Sequence, residues 1–113
     1  MTLTEFLEAR IAEDEATARN AGNSPVIEVA RRYGKVAAQH FYARWDPARV
    51  LAECEAKRAI IEAHPIEYSK VSDYTDCVAC LDVDTYDAYP CLTMRALGYV
   101  YAGHPDYRQE WRP

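Results

Sequence analysis

The sequence is short of glycine and has no long apolar run. Its four glycines are spread along 113 residues, which leaves no glycine-rich phosphate loop and no dinucleotide-binding motif. G-x-S-x-G and H-E-x-x-H motifs are absent as well, so no enzyme activity is predicted. No apolar stretch approaches the roughly 18 residues of a membrane span, and no membrane association is expected. The first residues lack a basic start and an apolar core, so we expect no secretory signal and predict a cytoplasmic location.

Positive charge is also scarce. Thirteen lysines and arginines stand against 18 acidic residues, a net charge of −5, whereas nucleic-acid-binding proteins are usually basic. Nucleic acid stays an alternative partner because two small basic groups exist: Arg31, Arg32 and Lys35, and Arg44, Arg49, Lys57 and Arg58. Half of the residues are apolar and 27% are charged, as in globular proteins. The length predicts a single domain over residues 1–113.

The four cysteines are the most specific chemical feature of the chain. Cys77 and Cys80 form a C-x-x-C pair, and two thiolates at that spacing can share one tetrahedral ion. Cys91 follows Pro90 at the start of a predicted helix, where the helix dipole and free N–H groups stabilise a thiolate. In the reducing compartment that the absent secretory signal predicts, disulfides are rare. The cysteines therefore indicate metal, redox or core roles.

One more ligand would close a tetrahedral site. His64 ends the helix predicted before the C-x-x-C pair and directly precedes Pro65. A Cys3His set of this kind is typical of structural zinc. The predicted cofactor is therefore a structural zinc, and the predicted ligands are His64, Cys77, Cys80 and Cys91.

Other readings of these residues stay open. The cysteines can be buried and unliganded, or the C-x-x-C pair can be a redox motif, although that reading requires a βαβ setting. Competing fourth ligands are Cys54, His104 and His40. Cys54 falls on the apolar stripe of its helix and is predicted to be a core residue. His40 lies in an apolar stretch and is predicted to be partly buried.

The terminal helices are predicted from their caps and apolar stripes. The first covers residues 3–20, and Thr2 with Glu5 forms a capping box at its start. Gly22, Asn23 and Ser24 are predicted to end it. The last helix covers about residues 91–102. We expect Gly98 to permit a close neighbour, and the tail to pack back onto the helices through Tyr107 and Trp111.

The middle of the chain is less uniform. Residues 25–44 fit either a hairpin or a short helix, and their early β-branched residues favour a hairpin. The later alanines and glutamine favour helix and predict a helical turn near residues 39–44. Asp46 is a predicted N-cap and Pro47 a predicted first residue of a helix that ends at His64. Residues 66–90 are predicted to be a long connection, which needs an organiser such as a bound metal.

These elements together predict a fold class. It is α+β and mostly helical, with three main helices, a small β-hairpin and a zinc-stapled loop. An all-α fold is the alternative.

Three segments of the sequence resemble a known family. They are TEFLEARIAEDEATA near the start, WDPARVLAECEAKRAIIEAH in the middle and HPDYRQEWRP at the end. Together they are similar to an uncharacterised family of small proteins, a domain of unknown function found in actinobacteria and their phages. The motifs from Asp46 to Arg58 and from His104 to Tyr107 carry most of the likeness. The resemblance implies no activity, but a phage-encoded member would be a viral protein that modulates a host protein in the host cytoplasm.

The sequence therefore predicts a small intracellular, zinc-stapled interaction or regulatory module that binds a protein partner. A nucleic-acid-binding regulator is the alternative. A cysteine-dependent enzyme is a third interpretation, since a Cys–His pair can meet in space.

Overall fold

The protein is helical over most of its length. The structure, a computed structural model, describes residues 1–22, 25–69, 74–81, 86–88 and 90–113. The helices among them are α1 (Leu3–Gly22), α2 (Pro25–Tyr33), α3 (Val36–Arg44), α4 (Pro47–Ala63) and α5 (Leu92–Tyr99). The strands are β1 (Ile66–Ser69), β2 (Tyr74–Leu81) and β3 (Tyr86–Ala88), and a 3-10 turn covers Gln109–Trp111. The predicted α+β, mostly helical fold class is confirmed. Within the described ranges, no helix has the length and apolarity to cross a membrane.

The starts of α1 and α4 follow directly from their capping residues. The backbone N–H of Glu5 donates to Oγ1 of Thr2 at 3.2 Å, and the N–H of Thr2 donates to Oε2 of Glu5 at 2.7 Å. This is the predicted capping box. At the start of α4, the N–H of Arg49 donates to Oδ1 of Asp46 at 2.8 Å, and Pro47 takes the first helical position, where its missing N–H has no cost.

The hairpin predicted within residues 25–44 is wrong, because this segment forms α2 and α3. Pro25 is the first residue of α2, a position that suits proline. Ala37 and Ala38 supply strong helix formers early in α3. The β-branched residues of α2 lower its helix propensity by only a few tenths of a kcal/mol each, too little to force a strand. The predicted helix-ending residues Asn23 and Ser24 lie outside the described residues.

The antiparallel strands instead occupy the predicted connection between α4 and α5. The sheet has the order β1-β2-β3, and both neighbouring pairs are antiparallel. Ile66 of β1 lies opposite Cys77 of β2, and Ser69 lies opposite Tyr74. Residues 70–73, 82–85 and 89 of this predicted connection lie outside the described residues. The sheet places the C-x-x-C pair on a strand.

The chain divides into two compact units. Unit 1 contains residues 1–10 and 57–113, and unit 2 contains residues 11–56. In unit 1 the ring of Phe6 lies 5.2 Å from that of Trp111 and 6.0 Å from that of Tyr107. The predicted packing of the tail is therefore confirmed. A Cβ atom built on Gly98 would lie 2.9 Å from Cδ1 of Leu3, which confirms the close approach predicted there.

Buried side chains of unit 2 are contributed by α1 and α4. Ile11 and Ala18 of α1 are buried, as is Cys54 of α4. The thiol of Cys54 lies 4.0 Å from the carbonyl oxygen of Ile11. The predicted core role of Cys54 is confirmed by this burial.

Candidate metal centre

Three different elements of unit 1 bring a histidine and three cysteines together. His64 directly follows α4, Cys77 and Cys80 belong to β2, and Cys91 is the N-cap of α5. One potential ligand atom from each of these residues lies within 4.8 Å of all the others. These are the four residues that the sequence predicted. They are close enough to hold a metal ion.

An irregularity in β2 explains how both residues of the C-x-x-C pair reach the same site. In a regular strand, side chains three positions apart point to opposite faces of the sheet. Asp76 pairs with Ala88 and Leu81 pairs with Tyr86, so that five residue steps along β2 are matched by only two along β3. An interruption of this kind bends a strand and redirects its side chains. It lies around Cys77 and Cys80, which allows both sulfur atoms to face His64.

The distances around His64 resemble those of a coordination sphere. Nδ1 of His64 lies 3.3 Å from Sγ of Cys77, 3.5 Å from Sγ of Cys80 and 3.7 Å from Sγ of Cys91. Zn–S bonds of about 2.3 Å and Zn–N bonds of about 2.0–2.1 Å in a tetrahedron separate nitrogen and sulfur ligands by about 3.5 Å. A single ring nitrogen forms one good hydrogen bond, as donor or acceptor. Three sulfur atoms at similar distances therefore fit a shared ion better than a hydrogen-bond network.

Two residues of the cluster are buried and two are partly accessible to solvent. Cys77 and Cys91 are fully buried, whereas Cys80 and His64 are half-buried. All three cysteines are free thiols. Cys91 also stands at the N-terminus of α5, where the positive end of the helix dipole favours a thiolate.

The protein groups alone do not favour a charged sulfur at Cys80. Desolvation, followed by hydrogen bonds with Cys91 and Cys77 and by the charges of those two groups, raises the pKa of Cys80 to about 12. A coordinated divalent cation reverses this preference, because its positive charge stabilises the negative charges of the clustered thiolates.

Among the described residues, none of the competing ligand candidates belongs to this cluster. Cys54 is in unit 2, and His104 contacts Arg10, whose Nη1 lies 2.7 Å from Nε2 and 3.0 Å from Nδ1 of the imidazole. His40 is exposed on α3, so its predicted partial burial is wrong. The stretch around His40 is apolar in sequence but packs no buried side chain, and the imidazole is left in water.

Sequence reasoning missed one further feature, an exposed aromatic pair formed by Phe41 and Trp45 in unit 2. The available signal was their four-residue spacing, which puts both rings on one side of a helix. The helical turn predicted near residues 39–44 ended before Trp45, so the pair was not recognised.

The comparison with known proteins agrees with the sequence likeness. The model of a family of unknown function, DUF6221, matches residues 1–113. No curated protein and no solved structure matches the chain. The chain belongs to the DUF6221 family.

Proposed function

We propose that this DUF6221 member is a zinc-stapled interaction module, in which a structural Zn²⁺ holds unit 1 together and the domain acts by binding another protein. The observation that carries the proposal is the arrangement of three cysteine sulfurs at 3.3, 3.5 and 3.7 Å from one imidazole nitrogen.

The donor set favours zinc over other metals. Thiolates select soft or borderline ions, and an imidazole nitrogen with three thiolates in a tetrahedron is a common structural zinc set. Calcium and magnesium prefer oxygen ligands, and this cluster offers none. His64, Cys77, Cys80 and Cys91 would each supply one bond.

Four protein ligands also favour a structural role over a catalytic one. A catalytic zinc keeps a position open for water or substrate, whereas a structural site is closed by protein. With all three clustered sulfurs bound to zinc, none would be available as a nucleophile. This argues against the cysteine-dependent enzyme.

The position of the ligands indicates what the ion would do mechanically. It would join the end of α4 to β2 and to the start of α5, three elements of unit 1. A three-stranded sheet with strands of four, eight and three residues is small for independent stability. Because structural zinc contributes its binding free energy to folding, the ion would stabilise this sheet and its attachment to both helices.

Two matched variants test the proposal. Cys77→Ala and Cys54→Ala each remove the thiol of a buried cysteine, but only the first removes a proposed ligand. Native mass spectrometry and elemental analysis should find one zinc per chain in the wild-type protein and in Cys54→Ala, and none in Cys77→Ala. We expect Cys54→Ala to lose only about 1–2 kcal/mol of stability, as for a small core truncation, and Cys77→Ala to lose much more.

Two results would overturn the proposal. One is a wild-type protein that is fully folded and carries no metal after expression in zinc-containing medium. The other is loss of metal from Cys54→Ala with retention in Cys77→Ala, which would assign the wrong ligand set.

A further inference from the structure

Unit 2 carries a helix that buries none of its side chains. α3 has no buried residue, and its large apolar side chains are exposed, with 57% of Phe41 and 65% of Val36 accessible. Trp45, which directly follows α3, is 45% exposed. Phe41 and Trp45 are four residues apart and lie on one side of the helix, and exposed apolar side chains grouped in this way mark interaction sites.

The aromatic side chains at the end of α3 are held in place. Phe41 and Trp45 stack with ring centroids 6.3 Å apart and an interplanar angle of 28°. On Trp45, the guanidinium carbon of Arg49 lies 3.9 Å from the ring centroid, a cation–π contact. Arg49 is itself fixed by a 3.0 Å ion pair with Glu53. Aromatic groups that are ordered before binding lose little entropy when a partner arrives.

A groove and a cleft adjoin these rings within unit 2. The groove has a volume of about 180 Å³ and is lined by Asp14, Thr17, Ala18, Ala21, Tyr42, Trp45, Pro47 and Val50. Most of these side chains are apolar. The cleft is lined by His40, Phe41, Ala43 and Arg44. The groove provides a place for an apolar side chain, and the cleft presents a guanidinium group.

The charge of this region is opposite to that of the whole chain. Residues 25–45 contain four basic residues and one acidic residue, a net of +3. Since the chain carries −5 in total, the other residues carry −8. Glu28 and Glu53 pair with Arg32 and Arg49. Across the part of the chain that the structure describes, no carboxylate pairs with Arg44. Its positive charge is therefore available to a partner.

We propose that this surface, the α3 face defined by Phe41, Arg44 and Trp45, binds an acidic amphipathic segment of a protein partner. An apolar side chain of the segment would enter the groove beside Trp45, and a carboxylate would pair with Arg44. The inference rests on the proposed function, because it specifies the partner of the interaction module.

Two other occupants fit the observations less well. A second copy of the chain would bring two faces of net positive charge together, which opposes self-association. A nucleic acid would use exposed aromatic faces for base stacking, but Arg49 already covers one face of Trp45. The exposed Val36 offers no stacking surface. The −8 charge of the other residues would also repel a polyanion more than a short acidic peptide.

A fluorescently labelled model peptide tests the inference on the zinc-loaded, full-length protein. The probe is an amphipathic helix of roughly 15 residues, with leucine and phenylalanine at i, i+3, i+4 and i+7 spacing and glutamate on the polar face. Its control has lysine at every glutamate position. We expect the acidic peptide to bind, the lysine peptide not to bind, and the affinity of the acidic peptide to fall as salt is raised.

Variants locate the binding surface. Phe41→Ala and Arg44→Glu should each weaken binding by about tenfold or more, as expected for anchors at an interface. Val100→Ala and Arg19→Glu, exposed positions outside the α3 face, should leave the affinity unchanged. Zinc content is measured for every variant, so that loss of the metal centre is distinguished from loss of the docking surface.

Three outcomes would overturn the inference while leaving the zinc centre intact. The first is that the acidic peptide does not bind, and the second is that all four variants lose binding equally. The third is that the protein forms a Phe41-dependent complex with a single-stranded oligothymidine, or a Phe41-dependent homodimer, instead of a complex with the peptide.

Discussion

Gly98 in α5 is the residue whose replacement has the most immediate steric consequence. An added methyl group would lie 2.9 Å from Cδ1 of Leu3, and Leu3 is fully buried, so the leucine has little space into which to move. Overpacking of this kind costs about 1–3 kcal/mol. Alanine recovers up to about 1 kcal/mol of helix propensity. We therefore expect Gly98→Ala to lower the free energy of unfolding, as measured by denaturant titration.

Gly103 provides the matched control for that substitution. A Cβ atom there meets nothing within 4 Å, so Gly103→Ala should leave stability nearly unchanged. A double variant with Leu3→Val should recover part of the loss caused by Gly98→Ala if the steric contact is its cause. Additive losses in the double variant would contradict that explanation.

At the scale of elements, the start of α1 predicts a pH-dependent contribution to stability. Hydrogen bonding to the backbone N–H of Thr2 is the main cause that lowers the pKa of Glu5 below 4.5, and the N-terminal charge and the Thr2 hydroxyl act in the same direction. A lowered folded-state pKa means that the ionised carboxylate stabilises the native state. This contribution is fully present above pH 4.5 and disappears as the pH falls through the folded-state pKa.

Glu5→Gln isolates the effect of charge, because glutamine can still complete a capping box. The wild-type protein should be more stable than Glu5→Gln at pH 6, and the difference should shrink as the pH falls below 4.5. Thermal unfolding of both proteins over this range provides the measurement. A difference that is constant with pH would contradict the assigned role of the carboxylate.

The sequence was informative for elements that carry their own boundary signals. α1 and α4 begin at side chains that cap them, Thr2 and Asp46, and such caps act locally. In residues 25–44 the β-branched side chains favoured a hairpin, so the helix that became α2 was only the alternative and α3 was predicted only as a helical turn, although intrinsic propensities differ by only a few tenths of a kcal/mol. β1 and β2 were not predicted because residues 66–90 are rich in aspartate, which is depleted in strands, and because strand formation depends on packing against neighbouring strands.

The candidate metal ligands are more apparent in the sequence than the elements that carry them. The C-x-x-C spacing, Cys91 and His64 can be recognised in the sequence, because cysteine and histidine are the residue types that most often bind zinc. The irregular pairing between Asp76 and Leu81 is not visible, because it is a property of two strands together. The set of four residues was therefore predicted, and their support by a bent β2 was not.

At the scale of the whole molecule, the two units should respond differently to loss of the metal. All four clustered residues belong to unit 1, whereas α3 belongs to unit 2. We expect Cys77→Ala, or treatment with a chelator, to increase hydrogen exchange first in β1, β2 and the start of α5. Amides of α3 should change less.

Hydrogen-exchange mass spectrometry at peptide resolution measures this difference, with Cys54→Ala as the control that keeps the metal. A uniform increase along the chain on zinc removal would contradict the localised role of the ion. It would indicate instead that residues 1–113 unfold in one cooperative step, as the single-domain prediction implies.

The spacing of the metal ligands also bears on the order in which the protein assembles. His64 and Cys91 are 27 residues apart, whereas the contact between Arg10 and His104 joins residues 94 apart. Closing the longer loop costs roughly 1 kcal/mol more in chain entropy. We therefore expect the proposed zinc centre to close early, from a single continuous stretch of chain. This stretch also precedes in sequence the aromatic tail that packs against Phe6.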